Sequence, residues 1–378
     1  MINVVIAGYA RSPFAPAKKG GLARVRADEM AAEVVRALIS RTKVNAADIE
    51  DIIVGCAFPE AEQGLNVARL IGLLADLPLS VAGQTVNRFC GSSMSSVHIA
   101  AGAIQMNAGE VFVAVGVESM SRVPMGGFNP MPSPKLYAAK PAAYMGMGDT
   151  AENVARQWQI TRAAQEEFAL KSHQKAAAAQ RDGRFAAEIV PINNGKTIIE
   201  QDECIRADAS LEGLAALKPA FDQAGTVTAG TSSPLTDGAS AVLVCSEDYA
   251  MRNGLTIMAR IKSIAVAGCA PEIMGIGPVA ASRKALARAG ITAKDLSVVE
   301  LNEAFASQAM ACMRDLEIDP AIVNFDGGAI ALGHPLGATG ARITGKAAAV
   351  LKREGGKYAL ATQCIGGGQG IATVLEAV

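Results

Sequence analysis

Short apolar runs at residues 4–7, 52–56, 111–117, 242–245, 298–301 and 358–363 have the length and the β-branched content of buried strands. Between them the apolar spacing changes to three and four. Met94, Val97, Ala101 and Ile104 fall on one helical face, closed by Asn107-Ala108-Gly109. Met30, Val34, Ala37 and Leu38 mark a second helix, residues 168–181 a third, and Phe305, Ala309, Cys312, Met313 and Leu316 a fourth. Pro278 and Gly290 bracket a fifth in the usual order, proline at the start and glycine past the end. Strands alternating with helices predict an α/β fold.

The pattern breaks between about residues 120 and 217. Pro124, Pro130, Pro132, Pro134 and Pro141 crowd a Gly/Met-rich stretch that leads into an Ala-rich helix. Phe128, Tyr137, Tyr144 and several methionines make it too apolar for a disordered linker, so it reads as an inserted lobe over a cleft. A second pattern suggests duplication. Val86-Asn87 precedes a small-residue turn, a helix and a strand; Val323-Asn324 precedes Gly327-Gly328-Ala329, a helical run and the strand at 358–363.

Composition narrows the partners. The 378 residues are 50% hydrophobic, 19% charged and 4% aromatic, with a formal net charge of -1. A large core is expected, and neither a basic surface for nucleic acid nor a stacking platform for bases. Seven cysteines without C-x-x-C pairs and three histidines suggest neither a zinc site nor a disulfide framework. Ile2-Asn3-Val4-Val5-Ile6-Ala7 enters a strand directly with no basic leader, and no apolar run approaches the ~20 residues of a membrane span. A cytoplasmic protein acting on a small molecule is the expectation.

Four segments concentrate reactive residue types. Cys90, in Asn87-Arg88-Phe89-Cys90-Gly91-Ser92-Ser93-Met94, stands at a helix start, where the helix dipole is expected to lower the thiol pKa toward neutrality. Glu300-Leu301-Asn302-Glu303-Ala304-Phe305 runs from strand to helix; its Asn302 is either an ordinary N-cap or an amide that holds a water or a carbonyl. Gly327-Gly328-Ala329-Ile330-Ala331-Leu332-Gly333-His334-Pro335 lacks the spacing of a phosphate loop, and His334 within it reads as a positioned imidazole of near-ordinary pKa. Thr362-Gln363-Cys364-Ile365-Gly366-Gly367-Gly368 ends a strand in a cysteine and a glycine turn whose amides suit an oxyanion hole. His98 and His173 fall inside helices and read as packing or surface residues.

Taken in order, these four segments resemble the signatures of the thiolases, and the likeness extends to Gly225-Thr226-Val227-Thr228-Ala229-Gly230 and Met274-Gly275-Ile276-Gly277-Pro278. The resemblance implies a duplicated, layered α-β-α-β-α fold built of two five-stranded halves with an inserted loop domain. The halves would be residues 1–119 with 238–262 and residues 263–378, the loop domain 120–237. It implies Cys90 as the acyl-carrying nucleophile, Cys364 as the acid/base thiol and His334 as the activating imidazole. Asn302 would hold an oxyanion-binding water, and the amides of Cys90 and Gly366 would form a second oxyanion site. Arg206, Phe221, Ser233, Ala304, Phe305 and Met147 occupy positions that match coenzyme A and substrate contacts. Coenzyme A would be a substrate rather than a cofactor, and the assembly a homodimer or homotetramer, possibly within a fatty-acid oxidation complex.

The acetoacetyl-CoA-making members have a histidine where this chain has Gly146, before Met147-Gly148-Asp149-Thr150-Ala151-Glu152-Asn153, and a different loop at Thr231-Ser232-Ser233-Pro234-Leu235. Both departures, with Phe89 and Ser93, resemble the degradative 3-ketoacyl-CoA thiolases. The alternatives are an acetoacetyl-CoA-forming acetyltransferase and a non-catalytic acyl-CoA or lipid carrier; a decarboxylating ketosynthase would usually carry histidine in place of Cys364.

Overall fold

Side chains of residues 111–117 alternate between two apolar clusters, and this alternation builds the layers. Val111, Val113, Val115 and Val117 pack against the Ala27–Thr42 and Val67–Leu74 helices, whereas Phe112 and Ala114 face the Ser92–Gln105 and Leu336–Glu354 helices. The same two central helices meet Val298, Ala359, Ala361, Ile371 and Leu375 from the other half. The opposite face of that half, with Val299, Leu301, Leu360 and Val374, is covered by the Gly277–Ala289 and Ala306–Leu316 helices. The result is the expected α-β-α-β-α stack.

The structure, a computed structural model, describes residues 2–378. Its strands are β1 (Val4–Arg11), β2 (Ala15–Pro16), β3 (Asp51–Gly55), β4 (Ala82–Val86), β5 (Val111–Ser119), β6 (Ile192–Asn193), β7 (Ile198–Ile199), β8 (Thr236–Ser246), β9 (Ala259–Gly268), β10 (Leu296–Leu301), β11 (Tyr358–Ile365) and β12 (Gln369–Glu376). The main sheet follows the order β10-β11-β12-β9-β1-β8-β5-β3-β4. Its two halves join at Val5↔Arg260 and Ile6↔Ala259.

The duplication is visible in the pairing. β3 is parallel to β5, β5 antiparallel to β8 and β8 antiparallel to β1. In the same sense β10 is parallel to β11, β11 antiparallel to β12 and β12 antiparallel to β9. The halves differ at the fifth strand. β4 pairs with β3 over its whole length, but its counterpart is one parallel bridge, Val299↔Val323. The reason lies in Asn324, which turns to φ 48° and uses its side chain in place of a strand, accepting from Leu301 N at 3.0 Å and donating to Leu301 O at 2.9 Å. Five strands were expected in each half; the second half has four and this bridge.

The expected division between residues 262 and 263 falls inside β9, which pairs with β12 from Gly268 to Arg260. Residues 120–235 form the lobe, with helices at Pro134–Ala139, Met147–Gln157, Arg162–Arg181 and Leu211–Ala215 and the small β6–β7 hairpin. The central helices approach closely where glycine allows it. A Cβ on Gly340 would strike Met94 N, so the two helices approach backbone to backbone there.

Candidate active site

The Cys90 loop is tied before the helix begins. The Asn87 side chain accepts from Phe89 N at 2.9 Å, Phe89 sits at φ 45°, and the Ser92 hydroxyl accepts from Arg88 N at 2.9 Å while donating to Phe89 O at 2.6 Å. Gly91 is the N-cap, and a Cβ there would lie 2.5 Å from Ile365 Cδ1. Glycine thus lets the end of β11 reach the Cys90 loop. Across that contact Gln363 Nε2 donates to Cys90 O at 2.6 Å, and the Gly366 amide hydrogen-bonds the Cys90 thiol. The turn after Cys364 places Gly367 at φ 80° and Gly368 at φ 84°, which lets β11 return directly as β12.

His334 arrives from the second half, two residues before the Leu336–Glu354 helix. Its backbone N donates to Thr236 Oγ1 at 3.0 Å. Its Nδ1 lies 2.6 Å from Thr339 Oγ1 and its Nε2 3.4 Å from Asn302 Nδ2. Asn302 is not an N-cap, since the following helix starts at Ala306 with Phe305 as cap. Its backbone N is held by Thr362 O at 3.0 Å, and its buried Oδ1 has no partner.

Burial overrides the dipole at Cys90. The thiol is pushed up to about 11, because loss of solvent outweighs the hydrogen bonds from the Gly366 amide and from its own amide. The expected thiolate-favouring shift is therefore reversed: Cys90 precedes its helix by one cap residue and is 9% exposed. Cys364 is raised well above the ordinary thiol value, first by burial and then by the neighbouring Cys90. His334 is lowered to about 3, first by burial and then by the positive charge of Arg342. An imidazole of near-ordinary pKa was expected; the buried ring is neutral throughout the physiological range.

The remaining expected contacts lie in one band. Met147, Ala304, Phe305 and Cys364 share an apolar cluster, and Met147 Sδ would be 3.4 Å from a Cβ on Gly366. The rings of Phe221 and Phe305 meet edge to face at 5.9 Å. Ser233 donates from both its N and its Oγ to Ala304 O, at 3.0 and 3.1 Å. Arg206 stands apart from that band, exposed on the wall of an adjoining cleft of about 800 Å³ that Ser232, Pro234 and Ile330 also line. His173, buried, reaches the same wall and accepts from Arg206 N at 3.1 Å.

Several residues escaped the sequence reading. Thr339 holds His334, Gln363 holds Cys90, and Thr236 holds the His334 backbone. Gln363 adjoins Cys364 and Thr339 follows His334 by little more than a helical turn; that proximity was the only signal. The glycines of 327–340 lack the spacing of a phosphate loop, and their packing agrees. Cβ atoms on Gly337 and Gly340 would strike Val117 O and Met94 N, so these glycines pack the helix into the core and cradle no ligand.

Comparison with known proteins gives the family. Residues 4–248 match the family model for the thiolase N-terminal domain and residues 255–377 that for the thiolase C-terminal domain. The chain is 49% identical to a 3-ketoacyl-CoA thiolase of Marinobacter nauticus, covering 100% of this chain and 98% of that one. It is 47% identical to a 3-ketoacyl-CoA thiolase of Vibrio vulnificus with both chains covered in full. The crystal structure of human mitochondrial 3-ketoacyl-CoA thiolase in complex with CoA superposes with a TM-score of 0.92 at 38% identity, over 100% of this chain and 98% of that chain. With both domain models spanning nearly its whole length and relatives at 47–49% identity covered end to end, the chain belongs to the thiolase family.

Proposed function

We infer that the chain is an acetyl-CoA C-acyltransferase that cleaves 3-ketoacyl-CoA with coenzyme A, giving acetyl-CoA and a shortened acyl-CoA. The observations that carry this reading are that Cys364 neighbours Cys90, that the Gly366 amide hydrogen-bonds the Cys90 thiol, and that His334 meets Asn302, with Leu336 beside His334 packed in one cluster with Cys90. A carrier on the same fold would need none of them together.

The pKa order shapes the chemistry. With the thiol near 11 and the imidazole near 3, the resting pair is neutral thiol and neutral imidazole. The Cys90 proton passes to His334 Nε2 as Sγ bonds the 3-keto carbon. The alkoxide then collapses, the carbon–carbon bond breaks, and the Cys364 thiol protonates the departing acetyl-CoA carbanion. Incoming coenzyme A returns a proton to Cys364 and attacks the Cys90 thioester; His334 gives its proton back to the released Cys90 sulfur. Amides of Cys90 and Gly366 suit one developing oxyanion, and Asn302 with His334 the other. Met147, Phe221, Ser233, Ala304 and Phe305 border the approach to the thiols, and Arg206 suits the phosphate-bearing end of coenzyme A.

Gly146 leaves small-residue space before Met147, which favours longer acyl chains over acetoacetyl-CoA and a role in fatty-acid β-oxidation. A higher kcat/KM for 3-ketohexanoyl-CoA than for acetoacetyl-CoA, measured by acetyl-CoA release, is the expected result; strict preference for the four-carbon substrate would favour the acetoacetyl-CoA-forming alternative. Seven free thiols suit a reducing cytoplasm, and among the described residues no helix is long and apolar enough to cross a membrane. β4 ends the sheet with an unpaired edge, and Leu65 and Leu79 are exposed nearby; both support a homodimer or homotetramer, with a fatty-acid oxidation complex as a wider assembly.

A further inference from the structure

We propose that Thr339 sets the tautomer of His334, keeping the proton on Nδ1 so that Nε2 faces Asn302 as a free acceptor. The Thr339 hydroxyl lies between two atoms, His334 Nδ1 at 2.6 Å and Pro335 O at 3.1 Å. A carbonyl only accepts, and a hydroxyl has one proton to give. With that proton on Pro335 O, the hydroxyl oxygen accepts from Nδ1–H. The other side of the ring agrees: Asn302 Nδ2, a donor, lies 3.4 Å from Nε2 and meets a lone pair there.

The opposite tautomer requires two changes. Thr339 would have to turn its proton from Pro335 O to Nδ1. Asn302 would have to flip its amide, since Nε2–H against Nδ2–H₂ sets donor against donor. The ring cannot resolve the conflict with water, because His334 is 4% exposed and Asn302 is fully buried.

Thr339 touches no substrate atom and is a positioning residue. Its helix begins immediately after His334-Pro335, so the same first turn that orients the ring supplies its partner. A carboxylate in that place would attract charge to the ring and hold it as imidazolium. A hydroxyl orients without doing so. The imidazole therefore takes up the Cys90 proton on Nε2 and returns it from the same atom when the thioester is broken.

Only the kinetic arm of the test rests on the thiolytic reading. The chain has three histidines, so ¹⁵N-histidine labelling of the whole protein gives three rings, and His334→Asn identifies the signal of interest. The expected spectrum shows His334 protonated at Nδ1 and bare at Nε2, unchanged in Thr339→Ser. In Thr339→Val the ring loses that preference, kcat falls about 10²-fold, the scale of one general base, and KM for coenzyme A stays within about twofold. Thr339→Ser keeps kcat within about threefold. Protonation at Nε2 in the unsubstituted protein overturns the proposal, as does a Thr339→Val enzyme of full kcat. If Thr339→Val does not fold, the spectra of the unsubstituted protein and of Thr339→Ser decide. A protein with the expected spectrum but no thiolysis would overturn the thiolytic reading and leave the tautomer assignment standing.

Discussion

In the N-terminal half Cys90 stands two residues before the Ser92–Gln105 helix; in the C-terminal half His334 stands two residues before the Leu336–Glu354 helix. The strand ends correspond as well. β3 is followed by Cys56 and β10 by Asn302, while β5 carries Glu118 and β11 carries Cys364 near their ends. The first pair is fully engaged: Glu118 accepts from Ala57 N at 2.8 Å, Gln63 Nε2 at 2.9 Å and Gly337 N at 2.9 Å, with Cys56 Sγ at 3.7 Å. The second pair is not, since Asn302 Oδ1 has no partner. The strand ends of the first copy are tied into the scaffold, whereas those of the second keep a buried polar atom unengaged. The copies also grip each other. Glu118 holds the start of the helix behind His334, and Gln363 holds the carbonyl of Cys90.

The two thiols offer the sharpest way to break this division of labour. Cys90→Ala is expected to lower thiolysis by about 10⁴-fold or more and to abolish the acyl-enzyme mass. Cys364→Ala is expected to lower thiolysis comparably, because the departing carbanion loses its proton donor. It still lets acyl-CoA acylate Cys90, because a coenzyme A thiolate can depart without a proton donor whereas the acetyl-CoA carbanion cannot. Absence of the acyl-enzyme mass when Cys364→Ala is incubated with acyl-CoA would mean that the thiols do not divide the work in this way.

The reciprocal grips differ in what their loss costs. Glu118→Ala leaves buried amides at Ala57 and Gly337 without an acceptor and takes from Gln63 Nε2 one of its two acceptors, Phe58 O being the other, so denaturant unfolding is expected to show about 3 kcal/mol or more of destabilisation. Gln363→Met removes one donor from Cys90 O and also an amide oxygen that is buried without a partner. Its stability loss is expected at about 1 kcal/mol, with a larger effect on the acylation rate as the Cys90 loop relaxes. Equal stability losses would contradict the contrast between scaffold and site.

How much of this was legible in the sequence follows from where the information lay. The six apolar runs became strands because each is buried by layers on both faces, a property carried by the run itself. β4 and β9 were missed for a related reason. Ala82–Val86 is an edge strand with polar Gln84 and Thr85, and Ala259–Gly268 carries Arg260, Lys262 and Ser263 on a half-exposed face. The reactive residues stood out because each adjoins a glycine turn or a strand end. Their electrostatics did not, because burial of Cys90 and His334 is made by the other half of the chain, hundreds of residues away in the case of Gln363 and Cys90. The dipole of a single helix was visible in the sequence; the solvent exclusion that overrides it was not.

That solvent exclusion supplies the smallest and most direct test, since it drives the nucleophile of one half and the base of the other in opposite directions. Cys90, pushed up to about 11, is almost entirely thiol at pH 7, and each pH step toward 11 multiplies its thiolate about tenfold per unit. His334, lowered to about 3, gains no proton anywhere between pH 6 and pH 10. Alkylation of Cys90 by iodoacetamide, followed by mass spectrometry on the free enzyme, is therefore expected to climb through that range without levelling near neutrality. His334→Asn is expected to leave the shape of the climb unchanged, because the imidazole carries no charge that its removal would take away. A plateau near pH 7 that disappears in His334→Asn would mean a standing thiolate–imidazolium pair, and would place the charge separation before substrate arrives.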